Sequence, residues 1–176
     1  HNTHRAALDV VVKDDHAYVS MGQNGLGIVD VSDPSSPSGQ GFFDTAPGHC
    51  HSLATDGDYI YAGATGISSS YFRVIDVTDP AAPVEKGHCL ISGVAFDIDV
   101  SGSHAVVAAN DSGIKIIDIS NPDNPVETGT CDTAATASGV AVSGDYAYVA
   151  DRYFGLRVIN IADKTTMNDH SQKPIF

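Results

Sequence analysis

The densest group of potential metal ligands in the sequence is the tripeptide His49-Cys50-His51. Imidazole and thiolate groups are good ligands for Zn²⁺ and copper. Because alternate residues of a strand point to opposite faces, His49 and His51 would share one side and Cys50 would lie on the other. His88 is predicted to end a later strand in the same part of the chain. It could lie near the two histidines and complete a metal site. The alternative is that these histidines only pack against their neighbours.

Two further groups are candidate cation ligands. If His1 is the mature N-terminus, its amine and the imidazoles of His1 and His4 could chelate copper. Asp9 and Asp97 occupy equivalent positions in two repeats, and two carboxylates near a channel mouth could bind Ca²⁺. The alternative for each aspartate is that its side chain accepts hydrogen bonds from backbone amides of a neighbouring loop. The cofactor that these residues indicate is a divalent metal, namely Zn, Cu or Ca.

Two aromatic pairs suggest a binding surface. Tyr71-Phe72 and Tyr153-Phe154 each fall at the turn before a strand, so these turns could expose an aromatic patch. The sequence contains no G-x-S-x-G nucleophile motif, no phosphate loop and no nucleotide fingerprint. We therefore predict no catalytic residues and favour binding over catalysis.

These residues are positioned by a phrase that the chain repeats four times. Each copy is a short run of β-forming residues with Asp or Asn near its end, as in Gly27-Ile28-Val29-Asp30-Val31. A fixed period of this kind is typical of stacked structural units. Because the Asp or Asn recurs with the repeat, we predict that it bonds a local turn at the end of a strand. The four copies place it at Asp30, Asp76, Asp118 and Asn160, which are 46, 42 and 42 residues apart.

Each repeat contains four short β-forming runs that are separated by turn residues. Period-2 alternation is clear in Tyr146-Ala147-Tyr148-Val149-Ala150. In three repeats a loop with two prolines, such as Asp79-Pro80-Ala81-Ala82-Pro83, separates the third run from the fourth, since proline cannot continue a strand. The pattern predicts an all-β fold, a β-propeller of four-stranded antiparallel blades. We assign repeats at about 6–47, 48–91, 92–134 and 135–176 to a single domain that covers 1–176.

Two sets of equivalent positions are predicted to form the core of these blades. The first set is aromatic and lies in the middle of the second run, where a large ring would pack well. The second set is aliphatic and lies in the third run, immediately before the repeated Asp or Asn. The predicted core residues are Tyr18, Tyr61 and Tyr148 in the first set, and Val29, Ile75, Ile117 and Ile159 in the second.

The units resemble LVIVD repeats, which are named for the phrase seen here as Arg73-Val74-Ile75-Asp76-Val77. The companion features match as well: Gly144-Asp145-Tyr146-Ala147-Tyr148 precedes the phrase in one repeat, and Asp79-Pro80-Ala81-Ala82-Pro83 follows it in another. The resemblance covers roughly residues 6 to 162. It implies a β-propeller that is secreted or attached to the surface of bacteria or archaea, and it carries no agreed catalytic residues. We therefore expect an extracellular or cell-surface protein.

The fourth repeat departs from the others after its third run. Its proline loop is replaced by Ala162–Met167, and no evident fourth strand follows within the repeat. The missing strand could come from the tail of the chain, from the N-terminal segment His1–Ala6 or from a partner. Three arrangements follow: a small closed ring, half of a ring completed by a second copy, or a piece of a longer chain. We favour self-association, because an unpaired sheet edge invites another chain.

The composition narrows the possible partners. The chain has 22 acidic and 9 basic residues and a net charge of −13, so its surface should repel nucleic acid. No apolar run approaches the roughly 18 residues that a membrane span needs. The three cysteines, Cys50, Cys89 and Cys131, are predicted to be buried thiols, although one could pair between chains.

Together these observations predict an extracellular β-propeller that acts as a binding or assembly module. Its expected partner is another copy of itself or another protein, with self-association through exchange of a terminal strand. The alternative is a metal-binding protein or metal-dependent enzyme that uses histidines in the channel.

Overall fold

The computed structural model describes residues 6–67, 69–133, 135–163 and 167–169. These residues form sixteen strands in four antiparallel sheets of four strands each, and none of them is helical. No helix long and apolar enough to cross a membrane therefore occurs in this part of the chain. The all-β prediction of four-stranded antiparallel blades is confirmed.

Each sheet is one blade, and its strands are paired in chain order. Short turns join neighbouring strands, which is why all pairs are antiparallel. Blade 1 comprises β1 (Asp9–Lys13), β2 (His16–Ser20), β3 (Leu26–Asp30) and β4 (Ser38–Phe43); blade 2 comprises β5 (His49–Asp56), β6 (Tyr59–Thr65), β7 (Ser70–Asp76) and β8 (Val84–Ile91). Blade 3 comprises β9 (Asp97–Ser101), β10 (His104–Ala108), β11 (Ile114–Asp118) and β12 (Val126–Cys131); blade 4 comprises β13 (Ala137–Ser143), β14 (Tyr146–Asp151), β15 (Gly155–Asn160) and β16 (Asn168–Asp169).

The repeated Asp or Asn ends the third strand of every blade. Its side-chain oxygen accepts a hydrogen bond from the backbone amide two residues later, which closes a local turn. Hydrogen bonds from the turn also lower the pKa of the three carboxyl groups, because they favour the ionised form. The predicted structural role is confirmed in all four blades: Asp30 accepts from Ser32, Asp76 from Thr78, Asp118 from Ser120 and Asn160 from Ala162, at 2.8–2.9 Å.

The hydrophobic core lies between the blades. Each blade has a front, which faces the blade before it in the chain, and a back, which faces the blade after it. The mid-strand tyrosines Tyr18 and Tyr61 point to the back, and Ile75 and Ile117 in the third strands point to the front. Three apolar clusters result, one between each pair of successive blades. Every internal blade is therefore covered on both faces.

The two terminal blades are each covered on one face only. Strand β1 packs beside β5, β5 beside β9, and β9 beside β13, whereas no comparable packing joins β13 to β1 within the described chain. The predicted core residue Val29 is half-buried, because it points to the front of blade 1, while Ile75, Ile117 and Ile159 are fully buried. The four blades thus form an open row with an uncovered face at each end.

The fourth strand of blade 4 comes from the tail of the same chain. Strand β16 pairs with the end of β15, with Asn168 opposite Asn160 and Asp169 opposite Ile159. The sequence left three possible sources for this fourth strand, and the structure places the tail of the chain at this edge. These two residue pairs are the part of the pairing that the described residues contain. The N-terminal residues 1–5, the other candidate, lie outside the described part of the chain.

Replacing Ile117 with alanine should show how much one filled junction stabilises the fold. The side chain is fully buried between blades 2 and 3, so its removal leaves a cavity and should cost about 2–5 kcal/mol of unfolding free energy. Val29→Ala is the matched control, because Val29 holds the equivalent position on an uncovered face, and it should cost less. Urea unfolding of both variants measures the two losses. A loss below about 1 kcal/mol for Ile117→Ala would show that the blades do not pack in this register.

Candidate functional site

The predicted cation ligands Asp9 and Asp97 join the innermost strands of successive blades. Oδ2 of Asp9 accepts a hydrogen bond of 2.7 Å from the backbone amide of Leu53 in blade 2. In the same way, Oδ2 of Asp97 accepts one of 2.8 Å from the amide of Val140 in blade 4. The other carboxylate oxygen of each aspartate accepts a bond from the amide of the next residue in its own strand. The structure thus favours the backbone role that the sequence left open, with the difference that the partner is a strand and not a loop.

The same kind of link recurs along the row of inner strands. Oδ2 of Asp99 accepts a bond of 2.6 Å from the amide of Val142, and the hydroxyl of Ser52 donates one of 3.0 Å to the carbonyl of Ala95. Inner strands of different blades are not paired in one sheet, so these side chains satisfy backbone groups that would otherwise need water. Burial raises the pKa of Asp97, although the two backbone hydrogen bonds oppose this shift, and the charge of Asp9 adds to it.

The two histidines of the His49-Cys50-His51 segment lie together, as predicted. A β-bulge in β5 leaves His51 as an extra residue between the pairs Cys50–Ala64 and Ser52–Gly63. The rings of His49 and His51 stack at 28° with their centroids 6.4 Å apart. Burial, and then the neighbouring charge of His49, lower the pKa of His51. Its imidazole therefore stays neutral down to a lower pH than an ordinary histidine. A neutral imidazole is the form that binds a metal.

Cys50 is separated from this histidine pair. Its side chain is fully buried in the core between blades 1 and 2. Burial, followed by the charge of Asp9, raises the pKa of the thiol to about 12. The thiolate that a metal requires is therefore strongly disfavoured. All three cysteines are free thiols, and Cys89 and Cys131 are only partly buried, not fully buried as predicted.

The prediction that His88 lies near the histidine pair is wrong. His88 is on β8, the outermost strand of blade 2, whereas His49 is on β5, the innermost. Strands β6 and β7 lie between them, which separates the two backbones by about 14 Å at the usual strand spacing. His88 instead places Nδ1 2.5 Å from Oε1 of Glu85 and packs its ring edge against Tyr71. It cannot complete a site with His49 and His51.

Metal binding stays a prediction for the histidine pair. No group of three or more His, Cys, Asp or Glu side chains able to hold a metal ion occurs among the residues that the structure describes. His1 and His4 lie outside these residues. The pair His49 and His51 supplies two ligands, fewer than the three or four of a usual zinc site.

The predicted aromatic surface exists in blade 4 but not in blade 2. Phe72 is fully buried and stacks on Tyr61 with centroids 5.8 Å apart, because it lies within β7 and points into the core, not in the turn before it. Tyr71 is half-buried beneath the guanidinium of Arg73, 5.1 Å from its ring centroid. Tyr153 and Phe154 are exposed in the turn before β15, as predicted. A binding role for these exposed rings stays a prediction.

Two uncovered apolar surfaces lie on the terminal faces, which the sequence did not mark as sites. The front face, on blade 1, carries exposed Val10, Val12 and Phe42, with Val19 and Val29 beside them. The back face, on blade 4, carries exposed Tyr146 and Tyr148, with Ala141, Leu156 and Val158 beside them. The signal that could have found them is the repeat itself, since Val10, Tyr148 and Leu156 hold positions that are buried in other blades.

Comparison with known proteins agrees with this repeated architecture. The family model for the LVIVD repeat matches four times, over residues 4–45, 47–91, 92–133 and 134–171. The chain belongs to the LVIVD repeat family. A search of curated protein sequences found no match.

Solved structures resemble this LVIVD repeat protein in fold alone. The β-propeller domain of Cps50 (Swd1) from Myceliophteria thermophila is 14% identical, with a TM-score of 0.69 over 89% of this chain and 55% of that domain. The computationally designed Ika8 protein is 13% identical, with a TM-score of 0.71 over 92% of this chain and 48% of that one. The chain thus spans about half the length of both. The designed Ika4 protein is 11% identical, with a TM-score of 0.61 over 96% of this chain and 92% of that one.

Substitution of Asp97 should separate its two properties, hydrogen bonding and buried charge. Asp97→Ala removes the acceptor for the amide of Val140 and should cost about 1–3 kcal/mol at pH 7. Asp97→Asn keeps one oxygen acceptor and should cost less. Because the pKa of Asp97 is raised above its ordinary 3.8, the folded state holds this proton more tightly than the unfolded state.

This linkage has a definite sign. The part of the stability that comes from protonation of Asp97 is complete below pH 3.8 and is lost as the pH rises through the raised pKa of the folded state, whereas the hydrogen bond to Val140 persists. Asp97→Asn should lack that part of the pH dependence. Urea unfolding of wild type and both variants between pH 3 and pH 7 measures it. Equal losses for alanine and asparagine at every pH would contradict the hydrogen-bonding role.

Proposed function

We propose that this protein is an extracellular binding and assembly module without catalytic activity, and that it associates with a second copy of itself through exchange of a terminal strand. The observation that carries this proposal is the order of the strands, because every described blade after the first begins directly after the outer strand of the blade before it. The segment that precedes β1 is therefore expected at the outer edge of another blade, where strands of two chains can pair.

The order of strands along the chain identifies the segment that fits this edge. In every described case, the segment that precedes an inner strand is the outer strand of the blade before it: β4 precedes β5, β8 precedes β9 and β12 precedes β13. By the same rule, the segment that precedes β1 belongs to the outer edge of a blade standing in front of blade 1. In a second copy, the blade with an uncovered back is blade 4, so blade 4 can stand in this place. The N-terminal residues 1–6 of one copy would then lie at the outer edge of blade 4 of the other.

The proposed location of the protein is outside the cell. It is supported by the family resemblance, whose members are often secreted or surface-attached. The net charge of −13 is compatible with it, because a strongly acidic surface keeps a repeat protein soluble.

Deletion of residues 1–6 tests the strand exchange. Light scattering should give wild type a mass of 36.6 kDa (2 × 18.3 kDa), and the deletion should shift the mass towards 18.3 kDa, because the exchanged strand is lost. Deletion of six residues at the other end, 171–176, is the control and should leave the pair of chains associated.

Two outcomes would contradict the proposal. A wild-type mass of 18.3 kDa at all protein concentrations would exclude self-association. A pair of chains that survives the N-terminal deletion unchanged would exclude exchange of this segment.

A further inference from the structure

We infer that two copies associate head to tail, with the front face of each copy packed on the back face of the other, and so close a ring of twice four blades. The inference rests on the proposed self-association, but it concerns the flat faces of the terminal sheets and not the outer edge of blade 4. It is carried by a comparison between blades of the same chain, because the central uncovered positions, Val10 and Tyr148, have equivalents in other blades that are covered.

The back face repeats a surface that is buried elsewhere in the chain. Tyr148 holds the mid-strand position of Tyr18 and Tyr61, and its cross-strand neighbour Val158 holds the position of Ile28 in blade 1. Tyr18 and Tyr61 are 1% and 4% exposed because a following blade covers them, whereas Tyr148 is 37% exposed. The difference comes from the missing neighbour, since the residue type and the place in the blade are the same. The back face is therefore built to receive the front of another blade.

The front face of blade 1 lacks a covering blade in the same way. Val10 is 55% exposed, whereas its equivalents in blades 3 and 4, Ile98 and Val140, are 5% and 8% exposed. Val12 and Phe42 extend this uncovered surface along blade 1. In all three junctions within the chain, a front packs on a back. A front-to-front or back-to-back contact has no counterpart in the molecule, so the surface that fits the front face is a back face.

Packing among the four described blades does not provide this contact. No extensive packing joins β1 to β13 within the described residues, and both terminal faces stay open. The row of blades also superposes on about half of each of two longer chains, at TM-scores of 0.71 and 0.69. It superposes less well, at 0.61, on a designed chain that it covers almost entirely. The curvature of the row is therefore that of half a larger ring, which two copies complete with closed symmetry.

The junction between copies would differ from the internal ones in one respect. Blade 4 has Gly139 at the position of Asp9 and Asp97, so it offers no carboxylate to the inner strand of the next blade. Apolar contact between the two faces must then carry this junction. Each copy also has a net charge of −13, so added salt should strengthen the association by screening repulsion. A charge placed in either face should disrupt the pair.

Two charged variants, used alone and mixed, test the head-to-tail arrangement. Val10→Lys alters the front face and Tyr148→Asp alters the back face. In a pair made of one variant alone, each of the two front-to-back junctions contains one altered face. Each variant by itself should therefore have the mass of one chain, 18.3 kDa. Mixed in equal amounts, they can form one unaltered junction and one that brings lysine to aspartate. The mixture should recover the mass of two chains.

The controls separate this effect from loss of folding. Val84→Lys and Leu90→Asp introduce the same charges at exposed positions of blade 2, an internal blade, and both should keep the mass of two chains. Circular dichroism should show that all variants stay folded, because Val10 and Tyr148 are already exposed in the single chain. If one of them fails to fold, Val12→Lys and Tyr146→Asp serve as a second pair at exposed positions of the same two faces.

Each remaining outcome has a distinct meaning. A wild-type chain of 18.3 kDa would overturn the proposed self-association and this inference together. A wild-type pair that resists both variants would overturn only the inference. A pair that is sensitive to one variant alone would show that like faces meet, and a mixture that stays monomeric would exclude the front-to-back contact. A mass that grows beyond two chains with concentration would exclude the closed ring.

Discussion

The structure depends on the contact between the front of one blade and the back of the next. A blade of four short strands has two apolar faces, and a single sheet of this size buries neither of them by itself. Stacking covers both faces of each internal blade, so the row is stabilised by nearest-neighbour junctions, as in other repeat proteins. Ile75, Ile117 and Ile159 are fully buried for this reason. The same constraint leaves the two terminal faces uncovered. The proposed assembly would cover them.

The polar side chains serve this stacking. The Asp or Asn at the end of each third strand closes a turn and so fixes where the strand stops. Asp9, Asp97 and Asp99 reach across to backbone amides of the next inner strand, where no sheet pairing is available. The carboxylates that could have formed a cation site are thus engaged with the backbone. The histidine pair of β5 is the group of potential ligands that these links do not engage.

Much of the fold could be predicted because it is encoded locally and four times over. Strand alternation, proline loops and the repeated Asp or Asn are properties of short segments, and repetition distinguishes them from chance. His88 was misplaced because the distance between His49 and His88 depends on the order of strands in the sheet. Phe72 was misplaced because a shift of one residue reverses the face to which a side chain points. Tyr148 and Val29 hold core positions in the repeat, yet their exposure depends on a neighbouring blade, which is not among the four described blades.

The most direct test of the account is a measurement of contacts between copies. Isotope-filtered NMR on a mixture of two samples, one with ¹³C-labelled valine methyls and one with protonated tyrosine rings in a deuterated background, detects only contacts between chains. We expect nuclear Overhauser effects from the methyls of Val10 and Val12 in one copy to the ring of Tyr148 in the other. Absence of every valine–tyrosine contact between copies, in a sample whose mass is that of two chains, would contradict the account.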